Sequence, residues 1–434
     1  MKISGWGKNI VRECKIVKPK TLLSLKKEIG ENCIARGMGR SYGDSSLQPN
    51  KTIVMTNFSK INKFDYKKGI ITVEAGITLE DLLKVIIPKG WFVPVSPGTK
   101  FVTVGGMIAS NVHGKNHHNS RGFENHLVEI KVIDENKDIR KCSLQKEKVF
   151  FLGTCGGMGL TGVIIEATIK LKKIETSYIE EKIICTNGLE DTIKKIELSN
   201  KYHYSIAWID CAAKNKNFGR SVIFCGEHAK KNALPINLSK LVFKKKKKFN
   251  IFFSLPRFIF NSFFIRIFNI LYYYSNYFKQ SVSYVDYDKF FYPLDSLLNW
   301  NSLYGNRGFI QYQCVVPKKI DLINILKIFK YSDIKSFLVT LKILEEDKGL
   351  LSFPIKGYTL AFDVPYSQKN SILFDQLDKQ VLKSKGRVYL TKDSLMNASF
   401  FKSTYKNITK FKKIIRNKKN KKTFSSMQSN RLEL

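Results

Sequence analysis

Three glycine-rich loops, near residues 36–46, 96–114 and 155–162, constrain this chain more than any other feature. Short apolar runs separate them: Thr52-Ile-Val-Met55, Ile71-Thr-Val-Glu-Ala-Gly76, Trp91-Phe-Val-Pro-Val95 and Gly162-Val-Ile-Ile-Glu-Ala-Thr-Ile-Lys-Leu171. Such runs, broken by Gly, Pro and Asn, read as strands joined by tight turns. One helix is signalled among them. Thr78-Leu-Glu-Asp81 is a capping-box-like start, apolar Leu82, Leu83, Val85 and Ile86 follow, and Pro88 stops it. The region from about Cys33 to Leu171 is therefore of α+β class.

Beyond residue 172 the texture shifts to longer Lys-rich amphipathic stretches with strand-like segments at 309–316 and 358–364, where a second domain is expected. A length of 434 residues suits two or three units, with two as the working number. The oddest part is Lys244 to Lys248 followed by the aromatic stretch 249–278, interrupted by Pro256, Arg257 and Arg266. A spanning helix needs about 20 mostly apolar, charge-poor residues. The breaks argue against one and leave two readings open: a segment lying on an anionic membrane surface, or a core helix preceded by a solvated basic loop.

With 74 Lys+Arg against 36 Asp+Glu, the formal net charge is +38, so an anionic partner is natural, although a Lys-rich genome gives the same sign. Nucleic acid is not expected, since no zinc-finger or RNA-recognition signature is present and the basic residues are spread. The eight cysteines lack CxxC pairs and metal-like spacing, which points to reduced thiols. The first residues have no apolar h-region or cleavage site, so a cytoplasmic location is expected, with a peripheral seat on the inner membrane face as its variant.

The first loop, Arg36-Gly-Met-Gly-Arg-Ser-Tyr-Gly-Asp44, is not a GxGxxG fingerprint, because Ser45-Ser-Leu-Gln-Pro-Asn-Lys51 after it has no helical period. Clustered glycines also build a nest of backbone N–H groups around an anion, and taken singly such a loop is as well explained by a surface turn. The second, from Ser96-Pro-Gly-Thr99 through Val104-Gly-Gly-Met-Ile-Ala-Ser-Asn-Val-His-Gly114, offers small side chains against which a flat ring can lie. Its His113, His117 and His118 raise a metal as a rival, but no carboxylates or cysteines stand at ligand spacing and none is expected. The third, Thr154-Cys-Gly-Gly-Met-Gly-Leu-Thr-Gly162, runs straight into a strand.

In this order the motifs resemble the vanillyl-alcohol oxidase and p-cresol methylhydroxylase type of FAD-binding domain and, more narrowly, the family of oxidases acting on polyprenyl-phosphoryl ribose. The likeness runs from Gly5-Trp-Gly7 to Arg431-Leu-Glu-Leu434 and includes Phe291-Tyr-Pro-Leu-Asp295, Phe309-Ile-Gln-Tyr-Gln313 and Lys392-Asp-Ser394. It implies a two-domain flavoprotein: a split FAD-binding domain (1–175 and 386–434) and an antiparallel-sheet substrate cap (176–385) carrying the basic and aromatic segment 240–280. The cofactor shell it implies comprises Ala35, Arg36, Gly37, Met38, Gly39, Arg40, Ser41, Tyr42, Gly43, Asp44 and Ser45, then Gly98, Thr103, Val104, Gly105, Gly106, Ser110, Asn111, Val112 and His113, with Ile164 and Tyr389.

The implied reaction is hydride transfer from a sugar carbinol to the flavin, with a base taking the hydroxyl proton. Lys392 is the first candidate for that polar group, with His113 and Tyr292 beside it. Lys115, Trp208, Gln311, Gln313, Lys342, Thr359 and Ala361 are implied in the substrate pocket. Many members of the wider family attach their flavin through a histidine at the position of Arg40, so FAD is expected to be non-covalent here. Ala361 and Thr359 replace a cysteine and an asparagine of the mycobacterial pocket. The expected substrate is a polyprenyl-phosphate-linked pentose, oxidised as the first half of an epimerisation in surface-glycan synthesis and passed to a short-chain reductase. A soluble aldonolactone or alditol oxidase, and a non-catalytic lipid- or glycan-binding protein, are the alternatives.

Overall fold

The alternating segment at 309–316 forms a fully buried strand, Phe309–Val316, paired antiparallel with Gly357–Pro365. They belong to an eight-stranded, wholly antiparallel sheet in the order Val282–Asp286, Tyr178–Cys185, Ser221–His228, Tyr204–Ile209, Val339–Leu344, Gly357–Pro365, Phe309–Val316, Arg387–Val388. The computed structural model describes residues 1–236, 238, 240–243, 247–415 and 422–434. Successive side chains of a strand point to opposite faces. Ala207, Ile209, Tyr312, Cys314, Leu341, Leu360, Phe362 and Val364 thus form one apolar face, packed in a single core with the helices Leu189–Leu198, Lys319–Tyr331 and Ser371–Lys383. The other face is left for the site.

The first 173 residues supply two sheets of more than two strands, beside two short two-stranded pairs. A five-stranded antiparallel sheet orders Ile139–Cys142, Leu127–Ile133, Val163–Lys170, Ile70–Glu74 and Ile61–Asp65, and a three-stranded parallel one orders Ile16–Val17, Lys51–Val54 and Cys33–Arg36. The expected helix is Leu79–Ile86, with the Thr78 side chain accepting from the Asp81 N–H. Leu79, Leu82, Leu83 and Ile86 are buried, whereas Val85 falls on the solvent side of the 3.6-residue repeat.

Lys244, Lys245 and Lys246 of the basic run lie outside the described residues. Lys248 donates to Glu80 Oε1 at 2.8 Å and sits 4.6 Å from the centre of the Phe101 ring. The aromatic stretch forms the helix Ser262–Tyr277, started by Asn261, which caps the N–H groups of Phe263 and Phe264. Only Ile265, Asn269 and Tyr273 are buried along it. Asn269 donates to Asp210 Oδ1 at 2.8 Å and Tyr273 to the Thr186 carbonyl at 3.0 Å, so one stripe docks on the sheet. Phe263, Leu271 and Tyr274 stand in solvent, and a simple core helix is excluded.

The last 45 residues return to the first loop. Cys33 N–H donates to Thr423 O, Tyr42 N–H to Thr391 O, and Arg431 bridges Asp44 (2.8 Å) and Asp393 (2.9 Å), both carboxylates being buried. Breaking a buried pair from one side strands charge in a low-dielectric interior. Arg431→Met is expected to cost about 3 kcal/mol, read as a lower denaturant midpoint at unchanged slope.

Candidate active site

A cavity of about 890 Å³ lies between the free face of the large sheet and all three glycine-rich loops. That is at the upper end of the roughly 300–1,000 Å³ of ordinary ligand sites. The strand Cys33–Arg36 delivers the first loop to its wall, where Ala35, Arg36, Gly37, Met38, Gly39, Arg40, Ser41, Tyr42 and Ser45 all line it. Arg36 holds the loop from behind, donating to Ser4 O (2.7 Å) and Ser46 Oγ (3.1 Å). Gly39 is left-handed (φ 63°), and a Cβ there would lie 2.1 Å from the Arg36 guanidinium. The backbone N–H groups of Met38, Gly39, Arg40 and Ser41 meet no acceptor among the described residues. Unsatisfied N–H groups converging on a cavity wall are an anion site.

Gly98, Thr103, Gly105, Gly106, Ser110, Val112 and Ile164 form a second wall of mostly small side chains, joined by Ala75, Ala109, Gly159 and Gly162. Thr103 caps the short helix Val104–Ala109, accepting from Gly106 N–H. Tyr389 lines the cavity too, its hydroxyl donating to Ser110 O at 2.8 Å. Four expected cofactor residues stand behind the wall instead. Gly43 abuts Asp393 and Asp44 is held by Arg431. Val104 is in the core, and Asn111 accepts from Glu124 N–H and donates to Asp347.

The sheet contributes the polar half. Gln311 lies opposite Asp363 and Gln313 opposite Ala361, with Lys342 opposite Thr359 and Trp208 opposite Thr340, so period-two alternation brings all of them to one face. All line the cavity with His113, Lys115 and Lys392. Thr359 Oγ1 donates to Cys314 O (2.9 Å) and therefore accepts from Gln313 Nε2 (3.1 Å). The other amide hydrogen goes to His113 Nε2 (3.0 Å). The ring proton is then on Nδ1, 3.1 Å from Lys342 Nζ, which must accept as a free amine. Burial, with Lys392 and Lys115 nearby, lowers the Lys342 amine to about 7. Burial first, and then the neighbouring basic groups led by Lys342, keep His113 well below the usual histidine range and neutral.

Lys115 donates to Phe290 O over the Phe290 ring, and burial lowers it to about 8. Lys392 Nζ lies 3.8 Å from the centre of the Tyr42 ring, and burial lowers it against the opposing pull of Asp363. Arg40 stacks on Trp6 at 3.9 Å and donates to Phe101 O at 3.2 Å. Tyr292, expected beside the substrate, lies behind the wall with its hydroxyl 2.5 Å from Ser96 Oγ, while the preceding Phe291 lines the cavity. The histidines do not converge: His117 pairs with Asp347, His118 with Tyr202 O, and no three ligand-type side chains gather among the described residues.

Sequence reading missed Asp363, although it follows Thr359 and Ala361 at the same two-residue spacing. The eight cysteines are buried and unpaired, and none lines the cavity. Native protein is therefore expected to resist iodoacetamide, whereas Ala361→Cys takes up one equivalent, located by peptide mass spectrometry.

Residues 20–143 match a family described as the FAD binding domain. The chain is 32% identical over 450 residues to decaprenylphosphoryl-beta-D-ribose oxidase of Mycolicibacterium smegmatis, covering 100% of this chain and 97% of that protein. Shorter likenesses reach an uncharacterized protein in the mprA 5' region of Streptomyces coelicolor, 33% identical over 38% of this chain and 44% of its own length. A putative D-arabinono-1,4-lactone oxidase of Neurospora crassa is 25% identical over 31% and 24%. With a full-length relative at that identity and a matching cofactor domain, the chain is an FAD-dependent oxidoreductase and belongs to the decaprenylphosphoryl-β-D-ribose oxidase family.

Proposed function

We propose that the enzyme oxidises a ring hydroxyl of a polyprenyl-phosphoryl ribose, at C2', to the ketone, as the first half of an epimerisation completed by a short-chain reductase. The carrying observation is the cavity itself. A wall of unsatisfied N–H groups and small residues faces a polar surface made by Gln311, Gln313, Lys342 and Thr359 of the sheet together with His113, Lys115 and Lys392, the three lysines being half-buried. Arg36 to Tyr42 and Ser45 would hold the FAD pyrophosphate, and Gly98, Thr103, Gly105, Gly106, Ser110, Val112 and His113 its flavin end, with Ile164 and Tyr389 closing the shell. Residues 1–175 and 386–434 form the cofactor unit in this reading, and 176–385 the cap, as in vanillyl-alcohol oxidase-type proteins. FAD supplies the hydride acceptor when bound.

The chain's own residues handle position and protons. Lys392, whose side-chain amine has no hydrogen-bonding partner among the described residues, takes the hydroxyl proton. The chain Thr359–Gln313–His113–Lys342 fixes the opposite side of the sugar, and Lys115 and Arg40 add positive charge for the phosphate. Arg40, standing at the position of the linking histidine, leaves the cofactor dissociable.

The exposed side of Ser262–Tyr277 suits a membrane surface. Phe263 is 63% exposed, Leu271 66% and Phe278 81%, while Phe268 and Tyr272 of the same helix line the cavity. Among the described residues no helix is long and apolar enough to cross a membrane. We assign this helix to the interface, with the lipid-linked substrate entering beneath it.

Anaerobic bleaching of the flavin by polyprenyl-phosphoryl ribose, measured against free pentoses, alditols and aldonolactones, tests the reaction. Lys392→Ala is expected to slow it by at least about 100-fold, and undiminished bleaching would remove the lysine. The rate rises with pH and levels off well below the ordinary lysine range, because burial lets the amine lose its proton early. Acid precipitation releases all FAD from the polypeptide. The protein floats with anionic liposomes. Failure to float, together with turnover of free alditols, would favour a soluble alditol oxidase.

A further inference from the structure

Two carboxylates line the cavity, Asp295 and Asp363. Asp295 is accounted for by the Lys100 N–H at 2.8 Å, with Arg40 near it. Asp363, 2% exposed, is not. Its Oδ1 accepts from Gln311 Nε2 at 2.5 Å, and its Oδ2 is buried with no hydrogen-bond partner. A desolvated carboxylate needs a cation or several donors to stay charged.

The groups facing it are few. From the first loop comes the Tyr42 phenol, from the segment before Phe309 the Tyr304 phenol, from the neighbouring strand Gln311, and from the C-terminal return Lys392. Of the three lysines in the cavity, Lys342 is engaged by His113 and Lys115 by the Phe290 carbonyl. Lys392 rests only on the Tyr42 ring, and the carboxylate next to it in the chain, Asp393, is turned away to Arg431 and the Leu395 and Met396 N–H groups. Because Oδ2 is shielded, Asp363 reaches a substrate only through a neighbour.

We propose that Asp363 is the positioning residue for the proton on Lys392: held by Gln311 beside the Tyr42 ring on which the amine rests, the buried carboxylate acts on the amine through space rather than by direct contact, and sets whether the amine facing the substrate is free to accept. The proposal rests on Lys392 as acceptor of the hydroxyl proton. In that step the substrate O–H breaks and its proton becomes the third N–H of Lys392, opposite the Asp363 charge. Gln311 holds the carboxylate in its rotamer. Burial opposes protonation of Lys392, and Asp363 is the negative charge that favours it.

The test compares wild-type holoenzyme with Asp363→Asn by two measurements. The first is the pH dependence of Lys392 acetylation by acetic anhydride, read by peptide mass spectrometry with surface lysines as internal references. The second is the pH profile of flavin reduction. Removing the carboxylate withdraws what holds the proton on Lys392, so both midpoints are expected to fall by about one pH unit, tenfold in proton affinity, and Asp363→Glu to restore them. An acetylation midpoint that stays put with FAD bound overturns the proposal. Undiminished reduction by Lys392→Ala sinks the reading of Lys392 as acceptor, while acetylation still reports the pair on its own. If the asparagine variant does not fold, Asp363→Ser, smaller and uncharged, carries the same comparison.

Discussion

The pairing of Phe309–Val316 with Gly357–Pro365 is the constraint on which the rest depends, because it decides which side chains share a surface. In the observed register Gln311 meets Asp363 and Gln313 meets Ala361. A one-residue slip would turn Tyr312, Cys314, Phe362 and Val364 into the cavity and bury two glutamines and an aspartate in the apolar core. The three helices behind the sheet hold that register, since the core they share with Leu360 and Phe362 tolerates no polar replacement. Stability of the cap and composition of the site are thus one property of the same pleat.

The second constraint is charge. Three lysines with lowered proton affinity face a cavity that, among the described residues, is lined by two carboxylates. Desolvation pushes all three amines toward the neutral form, Lys392 and Lys115 push Lys342 further, and an anion entering the cavity would reverse it. Positive charge is therefore available on demand. Lys342 shows how this is built: its free-amine state follows from a hydrogen-bond chain that begins at a backbone carbonyl, that of Cys314.

How much was legible in the chain differs by kind of signal. The loops, the helix after Thr78 and the strands at 309–316 and 357–365 rest on local patterns, glycine placement and alternation, and they stand where the sequence put them. Val85, counted with the apolar residues of that helix, faces solvent, because an apolar count ignores the angle at which a residue leaves the helix. Asp363 was readable from the same alternation that exposes Thr359 and Ala361, but a lone aspartate among apolar neighbours gives no signal until Gln311 and Lys392 are seen beside it. Tyr292 could not be placed from sequence, since it sits at the junction of two short helices, Tyr287–Phe291 and Pro293–Ser296, where no periodicity says whether it or Phe291 faces the cavity. The long-range tie of Arg431 to Asp44 has no local signature at all.

The aromatic segment illustrates the limit of composition most sharply. Phe, Ile and Tyr in the run 249–278 suit a core helix and an interfacial one equally, and the difference lies in three residues. Ile265, Asn269 and Tyr273 recur every four positions and dock the helix through one narrow stripe, two of them by hydrogen bonds rather than by packing. A core helix buries a wider apolar arc. Phe263, Leu271 and Tyr274 therefore stay exposed among the described residues, and Phe268 and Tyr272, packed on Phe337 and Trp208, connect that surface with the cavity interior. A soluble sugar gains nothing from such a lip, whereas an isoprenoid chain crossing it would stay out of water along its whole path while its phosphate reaches the lysines, at about 25 cal/mol for each Å² of apolar surface kept dry.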